Sequence, residues 1–158
     1  MPIAQAEATA LPFRAGALDA VTLVNVLDHT AAARRTLEEA ARVLRPGGLL
    51  VVRVPNGPVH ATAASALARL GPLARLRGLD AFPIVHVFAF GRGALVRLLT
   101  GAGFDVVDVI NSDLAGAPGG GAGRALGAAV RTLAALAAAA SRGRWLLGPS
   151  LEVYAKRR

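Results

Sequence analysis

A chain of 158 residues has the length of one domain and is long enough to bury a core. Apolar residues make up 54% but aromatics only 4%, so that core must be Ala, Leu and Val. The lack of cysteine excludes disulfides, thiolate chemistry and cysteine-bearing zinc sites. The net charge of +8 comes almost wholly from arginines with no interleaved Tyr or Phe to stack on bases, so nucleic acid is not favoured as a partner.

In chain order, residues 21–26 (VTLVNV) are a short β-branched run that predicts a strand buried on both faces. Helical spacing follows from Ala31 to Leu44, with Leu37, Ala40, Ala41 and Leu44 on one stripe and Thr30 placed to cap it. Pro46 is expected to end this helix, Gly47 and Gly48 to reverse the chain, and Leu49–Val54 to form a second buried strand broken by Pro55 and Asn56. Helical character from about His60 to Leu76 gives way to an irregular segment, GLDAFPIVHVFAF. An amphipathic helix over Arg92–Ala102 buries Leu95, Leu98 and Leu99, and Phe104–Ile110 is a third strand. A glycine-rich linker then leads to an Ala-rich helix, about Arg124–Ser141, and an amphipathic final strand, Leu151–Ala155.

Strands that alternate with helices, each strand an unbroken apolar run, predict an α/β fold with an open, mostly parallel sheet. The last strand, amphipathic and reached by a long excursion, suits an antiparallel insertion. No membrane span is expected. The run ALGAAVRTLAALAAAA at 125–140 is too short, carries Arg131 and is mostly alanine. No basic segment followed by an apolar stretch opens the chain, so no secretory signal is read, and a cytoplasmic location fits.

The ordered series AEATALPF, LDAV, VLDH and ARVLRPGG, continued by PIVHVFAF, ALVRLLTGAGFDVV and SLEVYAK, resembles class I S-adenosylmethionine-dependent methyltransferases of the ubiquinone-biosynthesis type. The likeness covers residues 3–110 and 149–156; 111–148 reads as a glycine-rich linker and Ala-rich helix inserted in one partial domain spanning 1–158. It implies the C-terminal part of a Rossmann-like methyltransferase sheet, S-adenosylmethionine as cofactor and a small-molecule acceptor. The family's Asp-x-Gly-x-Gly-x-Gly loop has no counterpart here, so an N-truncated domain of doubtful independent activity is expected. GGGAGRALGAAV at 119–130 is a poor substitute, because a cradling loop turns straight off its strand.

Ligands bind such sheets beyond the carboxyl ends of the strands, which places Val24 and Asn25, with Pro55 and Asn56, on the ligand side. The resemblance implies that Glu7 accepts a hydrogen bond from the adenine amino group, that Ala8 offers its backbone N–H and that Val24 lines the cofactor pocket. For Glu7 the alternative is a solvated loop carboxylate, and for Val24 plain strand core. His29 and His86 are the candidate bases, being able to titrate near neutrality. Equally, His29 can cap the next helix and His86 can be a satisfied half-buried histidine. No metal-ligand cluster is read.

With the first strands missing, the 21–26 strand would present an unpaired edge. Self-association or a partner chain through it is the expected consequence. Two further readings stay open: a non-catalytic methyltransferase-like subunit or interaction module, and a basic binder of nucleic acid or anionic membranes acting through the Arg124–Arg158 tail.

Overall fold

The computed structural model describes residues 3, 5–70, 88–112, 132–143 and 145–158. The elements are β1 (Leu18–Val24), α1 (Ala33–Val43), β2 (Leu44–Pro55), α2 (Gly57–Leu70), α3 (Arg92–Gly101), β3 (Phe104–Ser112) and β4 (Ser150–Arg157), with helical residues also at 132–140. The strands form one sheet in the order β1-β2-β4-β3. β1 pairs parallel with β2, while β4 lies between β2 and β3 and runs antiparallel to both. Three strands therefore point one way and the last opposes them, as its amphipathic pattern predicted. The expected helix over about Arg124–Ser141 is described only from residue 132, and the glycine-rich linker lies outside the described residues.

Period-two burial selects one sheet face for the core. Leu23, Leu50, Val52, Val54, Val109, Leu151, Val153 and Ala155 share a cluster with Leu37 and Ala40 of α1 and Leu95 and Leu99 of α3. Val24, Leu49 and Ile110, on alternate positions, are 48%, 37% and 38% exposed. Leu98, expected inward, is only half-buried.

The boundaries move for local reasons. β1 ends at Val24 rather than at residue 26 because Asn25 adopts φ +52, a left-handed turn that asparagine tolerates. α1 stops at Val43, before Pro46, and Leu44 is already extended and paired with Leu18. The next β1–β2 partners are Ala20 and Leu49, so residues 45–48 bulge out of the ladder. Glycine is required in that bulge. Gly47 has φ +73, and a Cβ on Gly48 would lie 2.8 Å from the Arg45 carbonyl oxygen. At the start of α1 the N-cap is Ala32 without a side-chain cap; the Thr30 hydroxyl instead accepts the Ala32 N–H at 3.1 Å.

Candidate functional site at the carboxyl ends of the strands

The ends of β1 and β2 meet where Asn25 leaves the sheet. Its N–H donates to the Arg53 carbonyl at 2.9 Å, and the positive φ then turns the chain into the 26–29 loop. There the buried Asp28 carboxylate lies 3.2 Å from Nε2 of His29, whose side chain is about half exposed. The backbone of the same loop receives residues 88–90. The Phe88 N–H donates to the Asp28 carbonyl at 3.1 Å, the Gly57 N–H donates to the Phe90 carbonyl at 3.0 Å, and Asn56 bridges Phe90. This passage runs so close to α2 that a Cβ on Gly57 would stand 2.8 Å from the Ala89 Cβ. The structure thus brings Val24, Asn25, Asp28 and His29 to one strand exit, with residues 88–90 lying against it.

Val24 is not strand core. Its side chain leaves the sheet on the face opposite Leu23 and is half exposed. His29 does not occupy the cap position of α1, which falls at Ala32. His86 lies outside the described residues. Among the described residues no group of three or more His, Cys, Asp or Glu could hold a metal ion, and no helix is long and apolar enough to cross a membrane.

Glu7 and Ala8 sit in a tight turn closed by the Ala10 N–H on the Glu7 carbonyl at 3.0 Å, with the Glu7 side chain exposed. Helix α1 anchors this turn. The Leu11 N–H donates to Oε1 of Glu39 at 2.8 Å, and Nη2 of Arg42 donates to the Leu11 carbonyl at 3.1 Å. Arg42 also grips the Glu39 carboxylate through Nε at 2.8 Å and Nη2 at 2.7 Å. That Arg42 bond, helped by the Leu11 N–H, outweighs partial burial and holds the Glu39 carboxyl down at about 2.

Two further polar groupings escaped the sequence reading. Asn56 is buried, and its Nδ2 donates to the carbonyls of Leu146 at 2.7 Å and Gly148 at 2.9 Å, while its N–H donates to the Pro149 carbonyl at 2.9 Å. From β3, Asn111 accepts the Gly148 N–H at 2.9 Å, so two asparagines at strand ends lock the entry to β4. On the more exposed face, Arg53 pairs with the buried Glu152 at 2.8 and 2.5 Å, and Ser112 and Tyr154 donate to the same carboxylate. The Tyr154 hydroxyl and Arg53 lower the Glu152 carboxyl, and the carboxylate in turn raises the Tyr154 phenol above its usual range. Glu152 faces Arg53 across the β2–β4 ladder, a relation that no local spacing reveals.

Two of the residues named from the sequence have side chains of a kind that could contact an adenine ring. Glu7 supplies an exposed carboxylate able to accept an amino N–H, and Val24 supplies exposed apolar surface. No glycine cradle for the methionyl end lies among the described residues.

With that geometry in view, the comparisons with known proteins are consistent. The family model of the methyltransferase domain matches residues 1–52. The demethylmenaquinone methyltransferase of Mycolicibacterium vanbaalenii is 52% identical over 69 residues, covering 39% of this chain and 28% of that protein. Its counterpart in Mycobacterium sp. strain KMS is 52% identical over 69 residues, covering 41% and 28%. The matched stretch thus spans just over a quarter of these relatives. Among solved structures, a putative methyltransferase of Haloferax volcanii, in complex with the Trm112 methyltransferase activator, aligns with a TM-score of 0.61 at 16% identity, over 96% of this chain and 59% of that one. A possible histamine N-methyltransferase of Thermotoga maritima aligns at 0.53 and 19% identity, over 97% and 62%. The [4+2]-cyclase SpnF aligns at 0.54 and 20% identity, over 98% and 54%.

The fold is therefore that of the Rossmann-like methyltransferases. Residues 1–52 match the methyltransferase-domain family model, so the sequence likeness to that family rests on the first third of the chain.

Proposed function

We propose that this chain forms the acceptor side of a methyltransferase that transfers a methyl group from S-adenosylmethionine to a small molecule, with a hydroquinone ring as the favoured acceptor class. The observation that carries the reading is the 52% identity to demethylmenaquinone methyltransferases, which no fold likeness could replace, since the same scaffold also serves a cyclase. In this reading Glu7 accepts from the adenine amino group and the Ala8 N–H donates to the ring. Val24 and Asn25 wall the pocket at the end of β1. Bound cofactor supplies an electrophilic methyl group. His29, oriented by Asp28 at 3.2 Å, takes the proton from an acceptor hydroxyl, raising the electron density of the ring that attacks. Residues 88–90 close the same strand exit and restrict water, and His86, outside the described residues, is retained as the second candidate base on the sequence alone.

The test is titration calorimetry of S-adenosylhomocysteine into the 158-residue protein, followed by methyl transfer to a short-chain demethylmenaquinol. Micromolar binding, about −8 kcal/mol, supports the reading. Binding without transfer to any hydroquinone removes the acceptor class, and no heat from a folded sample removes the cofactor site from this chain.

A second reading, a subunit working with another polypeptide, is favoured by β1. Among the described residues nothing pairs with its outer edge. Co-purification of a stoichiometric partner would support it, whereas methyl transfer by the isolated chain would count against it.

A further inference from the structure

We propose that Glu39 and Arg42 are positioning residues for the cofactor, acting through the backbone of Leu11 on the turn that carries Glu7 and Ala8. The inference rests on the adenine reading of that turn and deepens it.

Leu11 has both backbone polar groups bound by side chains of one helix: its N–H by Glu39 at 2.8 Å and its carbonyl by Arg42 at 3.1 Å. Two side chains thus satisfy both backbone groups of a loop residue that no strand among the described residues pairs with. The pair is also locked on itself by two Arg42–Glu39 bonds, so neither side chain is free to swing away from Leu11. Apolar packing supplies little competing restraint. Ala10 and Pro12 are exposed, Phe13 is 42% exposed and Leu11 is only partly buried. Pro12, directly after Leu11, has a ring-fixed φ and no N–H to donate, which stiffens the exit from the clamp without adding a bond. A second tie, from the Gly16 N–H to the Arg42 carbonyl at 2.9 Å, fixes the far end of the loop to the same helical turn. Only three residues separate Glu7 from the clamped Leu11, and the Ala10 N–H to Glu7 carbonyl bond closes the turn up to the residue before the clamp. The backbone from which the Glu7 side chain projects is therefore tied to the helix.

The pair Glu39 and Arg42 is separate from any group that would touch ligand. A helix-to-loop tie serving stability alone would leave affinity for adenosyl ligands unmoved, or would lower it whether or not Glu7 is present. The discriminating experiment is a double-mutant cycle. S-Adenosylhomocysteine affinity is measured by calorimetry for wild type, Glu39→Ala, Glu7→Gln and the double variant, with amide hydrogen exchange read on each.

The expected result is faster exchange at Ala10 and Leu11 in Glu39→Ala, with β2 amides unchanged, and affinity about tenfold weaker. In the Glu7→Gln background the same substitution then costs about nothing more, because the group it positions is gone. Arg42→Lys, which keeps the charge but loses the guanidinium fork, runs the same cycle should Glu39→Ala fold poorly. Equal losses in both backgrounds, or a loosened turn with unchanged affinity, would overturn the positioning role while leaving the adenine reading intact. Absence of binding by folded wild type would overturn both.

Discussion

Tyr154 is the single tyrosine of the chain, so its ionisation can be watched directly by ultraviolet absorbance. Its hydroxyl donates to the Glu152 carboxylate, a bond that vanishes when the phenol loses its proton, and the titration is expected to fall above the usual value of 10. Glu152→Gln should bring it back toward 10. A midpoint unchanged by the substitution would mean that the carboxylate does not hold the phenol. Glu39 allows a second check by pH. Its carboxyl, held down at about 2 by Arg42, lies below the ordinary value of 4.5, so the pair stabilises the fold fully above 4.5 and loses that contribution as pH falls through about 2. Melting temperatures of wild type and Glu39→Gln should therefore differ near neutrality and converge in strong acid. Asn56 gives the largest expected change at this scale. Asn56→Ala leaves the Leu146 and Gly148 carbonyls buried without a donor, and denaturant titration should show a loss of about 3 kcal/mol.

At the scale of elements, the alternation of apolar runs and helical stripes made the α/β order legible, and Leu37, Ala40, Leu95 and Leu99 could be placed inward from spacing alone. What spacing left hidden were relations across the chain. Glu39 lies off the apolar stripe of α1 and reads as solvated; its importance comes from Leu11, reached only when the loop before β1 folds back on the helix. Arg53 and Glu152 meet only because β4 enters beside β2. Asn56 reads as a strand breaker, because a carbonyl acceptor leaves no trace in sequence. His29 is legible as a candidate from its place after the strand, whereas the 3.2 Å approach of the buried Asp28 carboxylate depends on how the loop turns. Glycine at 57 carries a testable demand of the same kind. Gly57→Ala puts a methyl group against Ala89 and should displace residues 88–90 from the α2 start, at a cost of about 1–3 kcal/mol in thermal or denaturant unfolding. An unchanged stability would mean that this passage yields freely.

For the whole molecule, the outer edge of β1, unpaired among the described residues, is expected to dominate behaviour in solution. The strand is apolar, and an unpaired edge of that kind recruits other strands. Self-association that grows with concentration is expected in size-exclusion chromatography, and Ala20→Lys, at an exposed β1 position, should reduce it. A stable monomer at high concentration would show that the edge is inert.

The placement of β4 has a further consequence, one of timing. Among the described residues β3 pairs with the sheet only through β4, which pairs with β2 on its other side. During translation β1, α1 and β2 can assemble as they emerge, but β3 must wait unpaired until β4 has been made and has cleared the ribosome. A stalled nascent chain ending before Ser150 would expose, besides the outer edge of β1, the edges of β2 and β3 that β4 later covers. For this polypeptide the interval between synthesis of β3 and β4 is when chaperone help matters most.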